Sequence, residues 1–477
     1  MSEKGPIAIP PGEEQPLLHQ PGLGCTRGIF CKRCVSGAHS NSRTRTFARR
    51  TFVAVLIGCI YWSILGHNRP GSYHNGDHGS SSGDRQECRD HLVPWEGPSN
   101  FFTNASNIGF KFGKGNLVTS VGVTTSNAIK TPSIAITANV SKPYDPEQGN
   151  DFLKSALILD IHAKEYKHHG MHVRVREEGD SFDILIWADE DKHHHSHHHD
   201  RRRKEHHRFC ANVEVLITLP ESLTTFGRLA IEGAIMDVHT RALETVVFEQ
   251  LKIESALGNI DIQDQGVQTR DFIVKSAVGP INISSVTAPA GAVLKANVSN
   301  AVGLISMNAI VPRLLEVEQE DGAELPQHDV ELTSASGAVN LDIQASPESR
   351  SVFATLSAAS VLRVKAKSEV GPTRISIDLE DEQVLMLDSS SVLGAIDVEV
   401  SDNFLGDLQL RTTMGSIRVV EAEESASIIE YEKNTRDQKI AKKYLRQDKS
   451  DMVPHDEAGG SHIHLGADFG RAALTFV

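Results

Sequence analysis

The sequence predicts an all-β fold, a parallel β-solenoid of the β-helix kind, and three observations carry it. Apolar residues alternate with period two, a glycine returns at a near-constant spacing, and a small Ser-Ala pair precedes that glycine. The pattern is clearest in LKIESALGNIDI (Leu251 to Ile262) and FIVKSAVGPINI (Phe272 to Ile283), and it returns at Gly303, Gly337, Gly371, Gly394 and Gly415. A degenerate first copy has Met236 in the glycine place, and the anchors stand 21 to 24 residues apart except for two intervals of 34. A self-similar unit with period-two alternation marks stacked strands, because one unit alone cannot bury its apolar row. Each unit supplies two short strands joined at a turn, where glycine escapes the steric penalty on positive φ and the Ser-Ala pair lets turns stack closely. Leu251, Ile253, Ile260 and Ile262 should point inward, and Lys252, Glu254 and Asp261 to solvent. An antiparallel sandwich of regularly spaced hairpins is the competing architecture, but hairpins seldom repeat the same residues at the same offsets.

The elements before the repeats read as follows. Residues 1–50 form a disordered cytoplasmic tail: a Pro, Gly and Gln-rich start, then seven basic and no acidic residues between Arg27 and Arg50. Within the tail Glu13, Leu17 and Leu18 resemble the acidic di-leucine signal read by clathrin adaptors. Residues 51–67 hold the one uninterrupted apolar run, FVAVLIGCIYWSILG, whose 15 residues span about 22 Å as a helix. Snorkelling Arg49 and Arg50 extend it to the lower limit of a membrane span, and Tyr61 and Trp62 suit the far interface. A cleaved signal peptide is the rival, but the run starts after some fifty residues with no small-x-small site. A retained transmembrane signal-anchor with basic residues on its amino side leaves that side cytoplasmic. The expectation is a single-pass type II membrane protein with its bulk extracellular or lumenal, at the plasma membrane or an endosomal or vacuolar membrane.

Beyond the anchor, residues 68–107 read as a stalk, rich in Gly, Ser, Asn and His. Residues 108–220 hold alternating runs, among them MHVRVR, SFDILIWA and NVEVLITLP, expected as an amino-terminal β cap domain over the open end of the solenoid. The repeats occupy 221–420. Residues 421–460 form a charged insertion in which DQKIAKKYLRQ (Asp437 to Gln447) is expected as a short exposed helix, and 461–477 resume alternation as closing strands.

Four Asn-x-Ser sequons, at Asn104, Asn139, Asn282 and Asn297, all lie beyond the anchor, as glycosylation in a lumenal part requires. Of six cysteines only Cys88 and Cys210 are on that side and could pair in an oxidising compartment. Cys25, Cys31 and Cys34 are juxtamembrane candidates for acylation, and Cys31-x-x-Cys34 alone is half a zinc site. The cap carries DKHHHSHHHDRRRKEHHR at 191–208, with His193, His194, His195, His197, His198, His199, His206 and His207 as the candidate metal ligands. Imidazole clusters take zinc, nickel or copper, yet this spacing is low-complexity and lacks a second shell. An exposed loop with adventitious metal binding is the expectation, and no cofactor is called for.

The formal charge of −14 excludes a general nucleic-acid binder, which needs clustered excess Lys and Arg. With 23 histidines the charge is strongly pH-dependent near pH 6–7. No nucleophile elbow, phosphate-cradling loop, H-E-x-x-H helix or nucleotide fingerprint is present in the sequence, so no catalytic residue is assigned and an enzyme is not expected. Asp261, Asp264, Asp397 and Lys275 are outward and charged, as a solvated strand face also is. The Leu-x-Ile-x-Ser-Ala-x-Gly-x-Ile-x-Ile repeat, preceded by a strand ending Thr-Leu-Pro, resembles the putative-adhesin domains of unknown function of bacteria and fungi over roughly Val213 to Val419. With its tail, anchor and repeats the chain is similar to membrane-anchored fungal members. The resemblance implies a β-solenoid and a non-enzymatic, adhesin-like binding or structural role toward cell-wall polysaccharide or a protein ligand, with no catalytic residues to carry over. A carbohydrate-active β-helix enzyme and a metal- or pH-responsive lumenal protein are the alternatives; carboxylates gathered within about 10 Å across neighbouring coils would favour the enzyme.

Overall fold

The computed structural model describes residues 92–477 apart from 114–116, 142–162, 169, 189–210, 264–265, 313–324, 347–359, 380–382, 423–424, 426 and 446–459. The tail with Glu13, Leu17 and Leu18, the apolar run, Cys88, Cys210, the histidine-rich loop and Asp264 therefore lie outside the described residues. Among the described residues every helix or strand is a strand, and no helix is long and apolar enough to cross a membrane.

The alternating sequence folds into two parallel ladders that share a core. The strand before each glycine pairs with the strand before the next: Val247–Leu257 with Val267–Val278, then Lys295–Val302, Gln327–Ser336, Val361–Val370 and Val384–Leu393. The strand after each glycine does the same: Ile260–Ile262 with Ile281–Thr287, Ile305–Val311, Val339–Ala345, Thr373–Ile377 and Ile396–Val400. One strand from each ladder, joined at its glycine, makes a rung. Leu251, Ile253, Ile260 and Ile262 are buried as their alternation requires. Period two makes this register sharp, since a one-residue slip would turn the apolar row to solvent.

The glycines stack in a file. Gly258, Gly279, Gly303, Gly337 and Gly371 have φ between +134° and +150°, and a Cβ on Gly279, Gly303, Gly337, Gly371 or Gly394 would overlap the carbonyl oxygen of the glycine below it. Each turn also bonds to its neighbour: the Gly337 N–H donates to Val370 O at 2.8 Å and the Gly371 N–H to Leu393 O at 2.8 Å. On several rungs the small polar residue three before the glycine bonds the turn beneath. Ser255 Oγ donates to Met236 O at 3.1 Å, Asn300 Nδ2 to Gly279 O at 2.6 Å and Ser368 Oγ to Gly337 O at 3.0 Å. There it satisfies a turn carbonyl, whereas Ser276 Oγ and Ser334 Oγ at the same place are buried without a hydrogen-bond partner among the described residues, so small size is what the position requires throughout. Met236 fits the first place because Thr225–Arg241 runs through it as one unbroken strand.

The segments expected as a cap extend both ladders. Ser181–Ala188 and Asn107–Phe112 add rungs below Thr225–Arg241 on one side, Ala211–Pro220 and Leu117–Ser126 on the other. Antiparallel strands Met171–Glu178, Ala163–His168 and Ser133–Ser141 then line that end. The far end differs from a simple stack. Ser461–Phe476 inserts between the Gly394 rung and Gly406–Val420, pairing in parallel with both, so the chain's last strand is the penultimate rung. Its Gly470 takes the file position between Gly394 and Gly415.

The segment expected as a helix over Asp437 to Gln447 is instead a strand, Gln438–Leu445, antiparallel to Gly406–Val420 and to Ser427–Asn434. The open edge of the last rung offers unpaired N–H and C=O groups that outweigh the local helix preference. Period-two burial follows: Ala441 and Lys443 are buried. The Lys443 ammonium donates to Asp402 Oδ1 at 2.6 Å and lies 4.2 Å from the Phe476 ring centroid. Burial works to raise the Asp402 carboxyl, but the hydrogen bonds from Lys443 and Ser425 outweigh it and hold it below its usual range.

One core side chain carries an acid-sensitive cost. His328 is fully buried, its Nδ1 accepting from the Leu294 N–H at 3.1 Å, and burial pushes its pKa down from 6.5 to about 4. The folded state therefore refuses a proton that the unfolded chain takes up below pH 6.5. Stability is full above pH 6.5 and is lost as pH falls toward about 4, by about 3 kcal/mol in all. Chemical denaturation from pH 7 to 4 should show this slope, and His328→Gln should flatten it; an equal slope in the variant would contradict the assignment.

Candidate functional site

Reading the repeats by distance from the glycine brings outward residues into columns. Three after the glycine stand Asp261, Asn282, Ser306, Asn340, Arg374 and Asp397, paired rung to rung, followed by Ala473 and Arg418. Two residues further on, Asn308, Asp342, Ser376, Glu399, Thr475 and Val420 form a second column. The pleat aims both columns to the same side of the second ladder. Together they floor an open groove of about 810 Å³ running from Asn282 to Arg418.

The groove changes character along its length. From Asn282 to Asn340 the first column is amide and hydroxyl, able to donate and accept without net charge. From Asp342 and Arg374 onward the floor carries charge of both signs, with Asp397, Glu399, Arg471 and Arg418. Arg471 Nε donates to Asp397 Oδ1 at 3.1 Å, with Nη2 on the same oxygen, so Asp397 is neutralised in place. Asp342 accepts from Gln344 Nε2 at 2.7 Å. Asp342 and Glu399 flank Ser376 across two rung intervals, about 10 Å at the usual strand spacing. Asn282 Nδ2 donates to Asp261 Oδ1 at 3.0 Å at the neutral end.

Of the charged residues picked out in sequence, Asp397 sits in this groove and Asp261 borders it, whereas Lys275 is on the other ladder, paired with Glu254 at 3.0 Å. Arg374, Arg418, Arg471, Asp342 and Glu399 were not singled out. The signal that finds four of them is column position, three or five after a glycine; Arg471 stands one after Gly470 and joins the groove through its bond to Asp397. The four sequon asparagines are all exposed. Among the described residues no group of three or more His, Cys, Asp or Glu is placed to hold a metal ion.

Comparison with known proteins adds three findings. A family model described as a domain of unknown function, DUF7330, matches residues 303–476. No curated protein matches the chain. The crystal structure of "a putative cell adhesion protein from Clostridium sporogenes" aligns with 81% of this chain and 100% of its own, at 6% identity and a TM-score of 0.16. From Gly303 to Phe476, the stretch that holds most of the groove and the inserted final strand, the chain matches a domain of unknown function.

Proposed function

We propose that the two ladders form a β-solenoid and that the protein is a non-enzymatic binding module for an extended polar polymer, a cell-wall polysaccharide, laid along the second ladder. The observation that carries this is the groove of about 810 Å³, floored by two columns of outward side chains that give each rung at least one hydrogen-bonding group. A repeating polymer is matched by a repeating surface, and amides, hydroxyls and Arg–carboxylate pairs are the groups that satisfy sugar hydroxyls. The sequence places this module beyond a membrane anchor, extracellular or lumenal, with glycans on the exposed Asn104, Asn139 and Asn297; Asn282, whose amide bonds Asp261 at the end of the groove, is left unglycosylated so that the groove stays open. Treatment with a glycosidase should shift the protein's mobility, and an unshifted band would remove the topology.

Binding is checked by sedimentation of the protein with insoluble β-glucan, chitin and mannan. One of these should retain the wild type, and Arg374→Ala with Arg418→Ala should weaken retention about tenfold or more. Equal retention would end the groove assignment. A second reading keeps one specific support: Asp342 and Glu399 face the same groove about 10 Å apart at the backbone, near the carboxyl spacing of inverting glycosidases. The same incubations are scored for new reducing ends. Release that disappears in Glu399→Gln would establish the enzyme, and no release with intact binding supports the module.

A further inference from the structure

The corner of the first ladder carries an apolar strip that the groove does not use. One residue before each glycine, Ile235, Leu257, Val278 and Val302 are 39%, 50%, 44% and 49% exposed and lie in one register column. Ser336 interrupts the ridge, which resumes through Val370, Leu393, Phe469 and Met414. Beside it, two residues before each glycine, runs an exposed file of alanines, Ala234, Ala256, Ala277, Ala301 and Ala335. These alanines line a second groove of about 840 Å³, which Lys111, Glu232, Glu254, Lys275 and Glu369 also line. From the Met236 rung to the Gly337 rung neither column contains a charge. Apolar surface this extended on a soluble domain marks a contact site.

We propose that this strip is a self-association surface, a two-fold dimer in which the ridge of each copy seats in the alanine groove of the other. Three features favour a second copy over other occupants. The relief is corrugated at the rung repeat of about 4.8 Å; a second parallel ladder has that period, and a bilayer has none. The two columns are also self-complementary. A two-fold axis through the Gly279 rung places Val278 against Ala277, Leu257 against Ala301, and Ile235 against Ala335, large against small each time. An isologous contact of this kind closes on itself. Finally, the charge-free stretch of both columns is centred on Gly279, with two rungs on each side from the Met236 rung to the Gly337 rung, as a two-fold axis through that rung requires. The strip is on the first ladder and the polymer groove on the second, so dimerisation leaves the groove open and doubles its valency.

The test uses the full chain in a mild detergent, with the protein mass separated from the micelle by light scattering during gel filtration. Wild type should run as two copies. Leu257→Glu and Val278→Glu should each run as one copy at the same concentration, as should Ala277→Trp, which fills the groove from the other side. Thermal melts check that each variant is folded; these positions are exposed, so melts within a few degrees of wild type are expected. A single-copy wild type overturns the proposal and leaves the strip to another protein or a lipid surface. Two copies that persist in all three folded variants also overturn it, by placing the contact elsewhere.

Discussion

Gly337→Ala is expected to destabilise the protein by about 3–5 kcal/mol, the sum of a residue forced into positive φ and a core contact with no room to yield. Gly337 has φ +150°, and its Cβ would overlap the carbonyl of Gly303, which is backbone and cannot rotate away. The neighbouring turn would have to separate, breaking the Gly303 N–H bond to Ser336 O at 2.8 Å. Gly291→Ala is the matched control. Its φ is +73° with nothing within 4 Å of the added carbon, so it should cost only about 1 kcal/mol. Denaturant titration of both variants reads the difference. Equal losses would mean that the file of glycines is set by turn conformation alone and not by contact between rungs.

Removal of residues 461–477 should have the second large effect. The segment buries Ile463, Leu465, Ala467, Ala472, Leu474 and Phe476, and each leucine alone is worth about 2–5 kcal/mol. It is also the link between the Gly394 rung and Gly406–Val420, which among the described residues pairs only with this strand and with Gln438–Leu445. Without it, the Gly394 rung is left with an open edge, and residues 406–445 lose their attachment to the ladders. Limited proteolysis should then cut within 406–445 while the rungs from Gly258 to Gly371 stay protected, since stacked rungs depend mainly on their neighbours. A synthetic peptide of residues 460–477 added in trans should restore protection. Cleavage spread evenly over the chain would argue for one indivisible core.

The glycine spacing made the ladders, their inward rows and the outward columns readable before any coordinates. Asp261, Asn282, Ser306 and Asn340 fall at one offset from their glycines, and that offset alone assigns them to one face. Two things were not readable. Gly470 belongs to the file between Gly394 and Gly415, but strand order along an axis is a long-range choice, and ADFGRAALTF lacks the Ser-Ala pair that flags the other copies. The strand at Gln438–Leu445 carries a helix-like composition, and its conformation is decided by the open edge it covers. Local propensity yields where a ladder offers unpaired backbone. The polar groove is a property of the vertical register: no single residue in it is unusual, and stacking of the rungs is what brings Arg374, Asp397, Arg418 and Arg471 together.

The most direct test of the solenoid is a set of spin-label distances down one outward column. Glu254, Lys367, Ser390 and Arg411 share such a column, with Lys275, Ser299 and Thr333 between the first pair and Gly466 between the last. With the native cysteines replaced by serine and the labelled chain diluted with unlabelled, Glu254→Cys is paired in turn with Lys367→Cys, Ser390→Cys and Arg411→Cys. Stacked rungs predict backbone separations of about 19, 24 and 34 Å, rising by about 4.8 Å per rung. The wider last step reports the inserted final strand. Distances that rise and fall along the series, as a sandwich of antiparallel hairpins would give, would contradict the account.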